Sequence, residues 1–180
     1  MPPTFLLPRR PTGQTPDATV RWAGPHDVPR LLAMMRTLAV HEGSQAALRT
    51  SLDALLRDGF GPVPRFRALL AERASGVAGY VTCTTGYSIW AGGTTLLVDD
   101  VFVAPEGRGT GIGRTLMEAI GRTCIEEGHA FVRCTVEPDN ARAIGFYERL
   151  GYRVFGELQD YPPGFSRYFM QKALGAAAPI

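Results

Sequence analysis

The sequence predicts a single α/β domain built on a mixed β-sheet. Three observations lead there. Four segments carry apolar residues at helical spacing, seven short runs read as strands, and the two kinds interleave along the chain with no internal repeat. The length of 180 residues is right for one domain of roughly 100–200 residues.

The elements follow in order. Residues 1–17 contain five prolines and no hydrophobic period, which reads as a disordered tail. Ala18–Trp22 is a short strand, and Asp27 is placed to cap a helix carrying Val28, Leu31, Leu32, Met35, Leu38 and Ala39. Leu48, Leu52, Leu55 and Leu56 mark a second helix, ended by Asp58-Gly59. Phe66–Glu72 and Val77–Thr84 form a hairpin around Ser75-Gly76, a loop spans Tyr87–Gly93, and Leu96–Val103 is the next strand. Ile112, Leu116, Ile120 and Cys124 recur every fourth residue on a helix closing at Gly128. After the strand Phe131–Val136, Asn140 caps a helix with Ile144, Phe146 and Leu150, and Gly151 sits where a left-handed cap belongs. Tyr152–Phe155 and Arg167–Gln171 are the last strands, so the domain runs over 18–175 with a short tail at 176–180.

Composition excludes several classes. The net charge of +2 is too small to indicate nucleic-acid binding. No apolar run approaches the roughly 20 residues of a membrane span, the first residues make no signal peptide, and the expected location is cytoplasmic. Cys83, Cys124 and Cys134 are an odd, widely spaced set that reads as packing, with no disulfide framework. Neither they nor His26, His41 and His129 form a metal motif.

The most informative stretch is Val103-Ala104-Pro105-Glu106-Gly107-Arg108-Gly109-Thr110-Gly111-Ile112-Gly113. It joins a strand to a helix. Alternate glycines let a ligand approach the backbone, and unpaired N–H groups at a helix start suit pyrophosphate. A dinucleotide fingerprint fails, because after Gly109 and Gly111 its third glycine would be Arg114. A P-loop fails too, because with Gly113 and Thr115 in place its first glycine would be Arg108 and its lysine Arg114.

The spacing that fits is R-x-x-G-x-G, read as Arg108, Gly111 and Gly113. Together with Asn140 and Tyr147 in the segment Asn140–Tyr152, it resembles the GNAT acetyltransferases. Leu38–Glu42, Leu56–Gly61, Tyr87–Trp90 and Val98–Val103 look like the spermidine/spermine (diamine) branch of that family, and the likeness covers about residues 18–172. It implies the GNAT fold, a central, mostly antiparallel twisted sheet flanked by helices, with acetyl-CoA as cosubstrate and no metal. It also implies a homodimer.

By the same resemblance, Arg108, Gly109, Gly111, Ile112 and Gly113 hold the pyrophosphate. The backbones of Val101 and Val103 bind the acetyl and pantetheine groups, and Asn140 touches the coenzyme arm besides capping its helix. Tyr147 is the acid toward the coenzyme sulfur. Asp99 stands where the branch has Glu working through water, and being one methylene shorter it suits a water-relayed role. Asp100 matches an acid near the amine. Residues alone say less. Asp99 and Asp100 stand mid-strand, where Asp is disfavoured, and adjacent strand residues face opposite ways unless a bulge intervenes. Glu42, Asp99, Asp100 and Asp139 could line an acidic cleft for a cation, although Asp139 falls where the branch has Trp, and Gln159–Gly164 also departs from it. The expected acceptor is a polyamine, diamine or lysine-like amino acid. An aminoglycoside or protein amine, or a binding role with little turnover, remain alternatives.

Overall fold

The computed structural model describes residues 14–15, 18–89, 92–159 and 166–174. The remainder of both predicted tails, Trp90, and residues 160–164 of the divergent segment lie outside the described residues. Eight strands make one sheet in the order β1-β2-β3-β4-β5-β6-β8-β7. They are β1 (Gln14–Thr15), β2 (Ala18–Trp22), β3 (Arg67–Arg73), β4 (Gly76–Ser88), β5 (Gly93–Val103), β6 (Phe131–Val136), β7 (Arg153–Leu158) and β8 (Arg167–Ala173). Every neighbouring pair is antiparallel except β5–β6. The single parallel pair requires a crossover, and helix α3 (Ile112–Glu126) supplies it.

Two apolar layers clothe the sheet. On one face α1 (Val28–His41) buries Leu31 and Met34 against Ala68, Leu70, Tyr80 and Phe102, with α2 (Leu52–Phe60) packed beside it through Leu55. On the other, the predicted stripe Ile112, Leu116, Ile120 and Cys124 lies on Leu69, Val81, Leu96 and Val98. Helix α4 (Ala141–Arg149) joins this second layer through its one buried residue, Tyr147. All three cysteines are buried and free. No helix among the described residues is long and apolar enough to cross a membrane.

Several expectations shift. Helix α2 begins at Leu52, where Ser51 accepts a hydrogen bond from Ala54 N at 3.1 Å, so Leu48 stands outside it after a short 3₁₀ turn. The helix also runs one residue past Gly59. Strands β4 and β5 extend to Ser88 and back to Gly93, narrowing the predicted loop. Asp27 occupies the start of α1, but its carboxylate does not cap that helix. It accepts from Arg21 at 2.7 and 2.9 Å and from Gly24 N at 2.7 Å, which engages both carboxylate oxygens away from the helix start.

Candidate functional site

Strands β5 and β6 pair only from Thr95↔Phe131 to Val98↔Cys134, then part. From Asp99 to Val103 the edge of β5 that faces β6 has no strand partner among the described residues, while its other edge still pairs with β4 up to Val103↔Gly79. An open edge deep in a sheet can hydrogen-bond an extended ligand as a further strand would. Val101 and Val103 lie on this edge, with their side chains packed into the α3-side core as the sequence suggested.

At the fork the register of β4 and β5 slips: Thr82 pairs with Asp100 but Cys83 pairs with Val98. Asp99 is therefore the extra residue of a β-bulge, and the alternation of faces is reset there. Val98 points into the α3-side core, yet Asp100 shares the α1 side with Tyr80 and Phe102. Tyr80 donates to Asp100 Oδ2 at 3.3 Å, and Asp100 N donates to Thr82 Oγ1 at 3.1 Å. The bulge is thus the exception under which the rule of opposite faces for adjacent strand residues does not apply to Asp99 and Asp100.

The electrostatics follow from this crowding. Asp99 still reaches solvent, but desolvation and then the neighbouring Asp100 charge push its carboxyl up to about 6. Burial also raises Asp100, and Tyr80 partly offsets it by donating to the carboxylate. Glu42, at the end of α1, is raised by desolvation, then by Asp100 and Glu137, with Arg167 and His41 pulling the other way. Glu42 and Asp100 line a cavity of about 180 Å³ whose apolar wall includes Met35, Leu38 and Leu48. Asp139 sits exposed in the turn before α4, and the nearby Glu137 is, after Asp100, the carboxylate that raises Glu42.

Tyr147 reaches the fork from the opposite face. Its hydroxyl interacts electrostatically with Cys134, the β6 residue of the last β5–β6 rung. Burial first, then the charges of Cys134 and Asp100, raise its pKa well beyond the ordinary tyrosine range. The ring packs edge-on against Tyr152 at 5.6 Å.

Beyond the open edge lies the glycine turn. Gly109 and Gly111 have φ of 79° and 92°, values that L side chains adopt only with strain. Gly111 is the start of α3 and offers no side-chain cap, so the N–H groups of Ile112, Gly113 and Arg114 face outward without helical partners. A Cβ on Gly113 would stand 3.3 Å from the Phe146 ring, so glycine lets α3 and α4 approach here. The Arg108 side chain turns inward: its Nε donates to Val103 O at 3.2 Å, bracing the end of β5. Asn140 caps α4, accepting from Ala143 N at 3.0 Å.

Glu42 and Asp100 thus share the cavity on the α1 side, Asp99, Val101 and Val103 lie on the unpaired stretch of β5, Tyr147 approaches from the α3 side, and the glycine turn follows the end of that strand. Sequence reasoning missed Tyr80, Thr82, Cys134 and Glu137. The first three stand in apolar strand runs that read as core, and only the register across the bulge shows their roles.

Comparison with known proteins agrees with this geometry. Residues 32–152 match the model of the acetyltransferase (GNAT) family. The chain is 31% identical over 150 residues to a thialysine N-epsilon-acetyltransferase of Bos taurus, covering 79% of this chain and 88% of that protein. It is 29% identical over 139 residues to a spermidine/spermine N(1)-acetyltransferase-like protein 1 of Homo sapiens, covering 73% of this chain and 20% of that one. A GNAT-family acetyltransferase structure from Streptococcus pneumoniae superposes with a TM-score of 0.73 at 17% identity, over 88% of this chain and 100% of that one.

Proposed function

From the premise that the chain belongs to the GNAT acetyltransferase family, we propose that it moves an acetyl group from acetyl-CoA to the primary amine of a small cation. The observation that carries this reading is the desolvated pair Asp99–Asp100 at the fork where β5 loses its partner strand. The residues present fit the coenzyme: uncapped N–H groups at the start of α3 for pyrophosphate, and an open strand edge for an amide-bearing arm. Bound acetyl-CoA would supply the acetyl thioester.

The chain's own residues do the rest. Glu42 and Asp100 draw the acceptor's positive charge into the cavity beside α1. An ammonium with an ordinary pKa of about 10 has no lone pair at neutral pH, so it must lose a proton before attack. Asp99, poised at about 6, receives that proton through water. The new N–C bond then forms as the C–S bond breaks, and the nitrogen sheds its second proton through the same water to the departing thiolate, which leaves as the thiol. Tyr147 stays protonated and donates a hydrogen bond to the departing sulfur. Full proton transfer from so weak an acid to a thiolate of pKa about 8.5 is uphill, and Tyr147→Phe should therefore lower kcat about ten-fold without abolishing turnover.

The relatives acting on thialysine and the spermidine/spermine likeness support a diamine or lysine-like acceptor. The family likeness also supports a homodimer working in the cytoplasm, and mass in solution tests the first of these. The direct test of function is incubation with acetyl-CoA and spermidine, or thialysine, with the amine weighed by mass spectrometry. A product heavier by one acetyl group supports the reading. Bound coenzyme with no product from either amine would turn it toward another acceptor or a binding role.

A further inference from the structure

Tyr80 is a buried polar residue that the transfer chemistry above does not use. It stands in β4 fully buried, its ring 5.8 Å from that of Phe102 and in one apolar cluster with Leu31 and Met34 of α1. Such surroundings suit a phenylalanine, and a phenol hydroxyl brought into them needs a hydrogen-bond partner. The hydroxyl donates to Asp100 Oδ2 at 3.3 Å, across the β4–β5 pairing that the bulge at Asp99 resets. Asp100 also lines the cavity of about 180 Å³ that holds Glu42, so it joins the buried phenol to the acceptor side of the site. Burial, then the Asp100 charge, pushes the Tyr80 phenol far above its ordinary range, and it stays a donor throughout working pH. Asp99 adjoins Asp100 on β5, Glu42 shares its cavity from α1, and Tyr147 feels its charge from α4. None of these three supplies a positive charge. Burial disfavours the ionised form of Asp100, and the Tyr80 hydrogen bond works against that burial.

Resting on the reading that this cavity takes the acceptor's ammonium, we propose that Tyr80 is a positioning residue for acceptor binding: its hydroxyl holds the Asp100 carboxylate charged and in place at the cavity wall. Tyr80 acts through Asp100 and touches no reacting atom. It therefore governs acceptor affinity and leaves the transfer step to Asp99 and Tyr147. A hydrogen bond to an ionised carboxylate is stronger than one to a neutral acid, so loss of the hydroxyl is felt most in the pH range where Asp100 titrates.

The first arm of the test needs no acceptor. The Asp100 carboxyl is titrated by carbon NMR in the intact protein, with its resonance assigned through Asp100→Asn. Tyr80→Phe keeps the ring on Phe102 and should move the Asp100 midpoint to higher pH. Thr82→Val removes the hydroxyl that accepts from Asp100 N at 3.1 Å and should leave that midpoint in place. An unmoved midpoint in Tyr80→Phe, or an equal shift in Thr82→Val, overturns the proposal whatever the protein acetylates. The second arm is steady-state kinetics with spermidine, or thialysine, as acceptor. In Tyr80→Phe the KM for the amine should rise about three-fold at mildly acid pH, with kcat and the KM for acetyl-CoA within about two-fold of the parent. The gap should close as pH rises and Asp100 ionises in both proteins. A lowered kcat with an unchanged amine KM, or a gap that does not vary with pH, overturns the proposal as well. A parent that acetylates neither amine defeats the acceptor reading and the binding role with it, while the hold of Tyr80 on Asp100 stands or falls on the titration.

Discussion

Strand β5 has a polar cluster at each end, and the two are built on opposite principles. Near its start, Thr94 Oγ1 lies 2.6 Å from His129 Nδ1, whose Nε2 lies 3.1 Å from Glu127; Glu127 in turn accepts from both terminal nitrogens of Arg67 at 2.6 and 2.7 Å. Arg67 also stacks over the Trp22 ring at 4.7 Å. Desolvation pushes Glu127 up, but the Arg67 hydrogen bonds and charge, with help from His129, bring it below the usual glutamate value. At the fork, Asp99, Asp100 and Glu42 are all raised, and of these Asp100 has a single neutral donor, Tyr80, on its carboxylate. Burial raises carboxyls at both ends; at the start of β5 the Arg67 hydrogen bonds and charge override it, whereas at the fork burial prevails, with neighbouring carboxylates adding to it at Asp99 and Glu42. The paired end fixes β3, β5 and the α3–β6 turn together. The unpaired end holds charge that a cationic ligand would relieve.

The largest effect should come from breaking the ligand side of that contrast at the turn. Gly111→Glu places a side chain and a negative charge where φ is 92° and the helix start faces outward. The KM for acetyl-CoA should rise about 100-fold or more, measured at saturating acceptor, with the melting temperature falling only modestly. Unchanged coenzyme affinity would show that the turn does not hold pyrophosphate.

Next comes the raised pair itself. The rate should fall on the acid side with a midpoint near the value of about 6 held by Asp99, and Asp99→Asn should remove that limb from the pH profile of kcat/KM. The stability effect has the reverse sign. A carboxyl raised from 3.8 to about 6 in the folded protein resists ionisation that the unfolded chain accepts freely. The penalty is absent below the lower value and complete above the higher one. Asp99→Asn should therefore gain melting temperature over the parent as pH rises through that window. An Asp99→Asn variant with an unaltered acid limb would remove Asp99 from the proton path.

How legible this was in the sequence differs between the two ends. The glycine turn, the α3 stripe and Asn140 are local signals, each defined by residues a few positions apart, and the structure has each where its spacing put it. The bulge at Asp99 was not legible, because a register slip is a relation between two strands and leaves no mark on either one alone. The Glu127–Arg67 pairing spans 60 positions, and His129 stands in no sequence motif that points to it. Arg108 adds a contact of the same kind: its Nε donates to Val103 O, an interaction set by tertiary packing that its place in the glycine motif does not announce.

A smaller effect should follow from breaking the paired end. Glu127→Gln leaves the half-buried Arg67 without its countercharge, and we expect a loss of about 1–2 kcal/mol, or about 3–6 °C in melting temperature, with kcat unchanged. Glu127 is lowered from 4.5, so its contribution is present above that pH and fades as pH falls through the folded value. The parent and the variant should therefore converge in stability at low pH. A constant difference down to pH 3 would mean that shape, and not charge, holds this end.

The subtlest prediction concerns a cation that neither end claims. Arg73, at the close of β3, donates from Nη2 to Thr110 Oγ1 at 2.8 Å, and that hydroxyl donates to Gly107 O at 2.7 Å. Its Nε is buried without a partner among the described residues. The guanidinium is thus tied to the glycine turn through Thr110, and its effect on a bound pyrophosphate can come through its charge or through the shape it gives the turn. The two routes separate by salt. A charge acting over several ångströms through partly solvated loop is screened within about 10 Å at 0.1 M ionic strength, whereas a hydrogen bond that shapes the turn is not. Arg73→Met should raise the KM for acetyl-CoA about three-fold at low salt, with the difference closing as salt is added and kcat held constant. A rise that persists at high salt would assign Arg73 to the shape of the turn. In that case Thr110→Val, which removes the same hydroxyl bridge, should reproduce it.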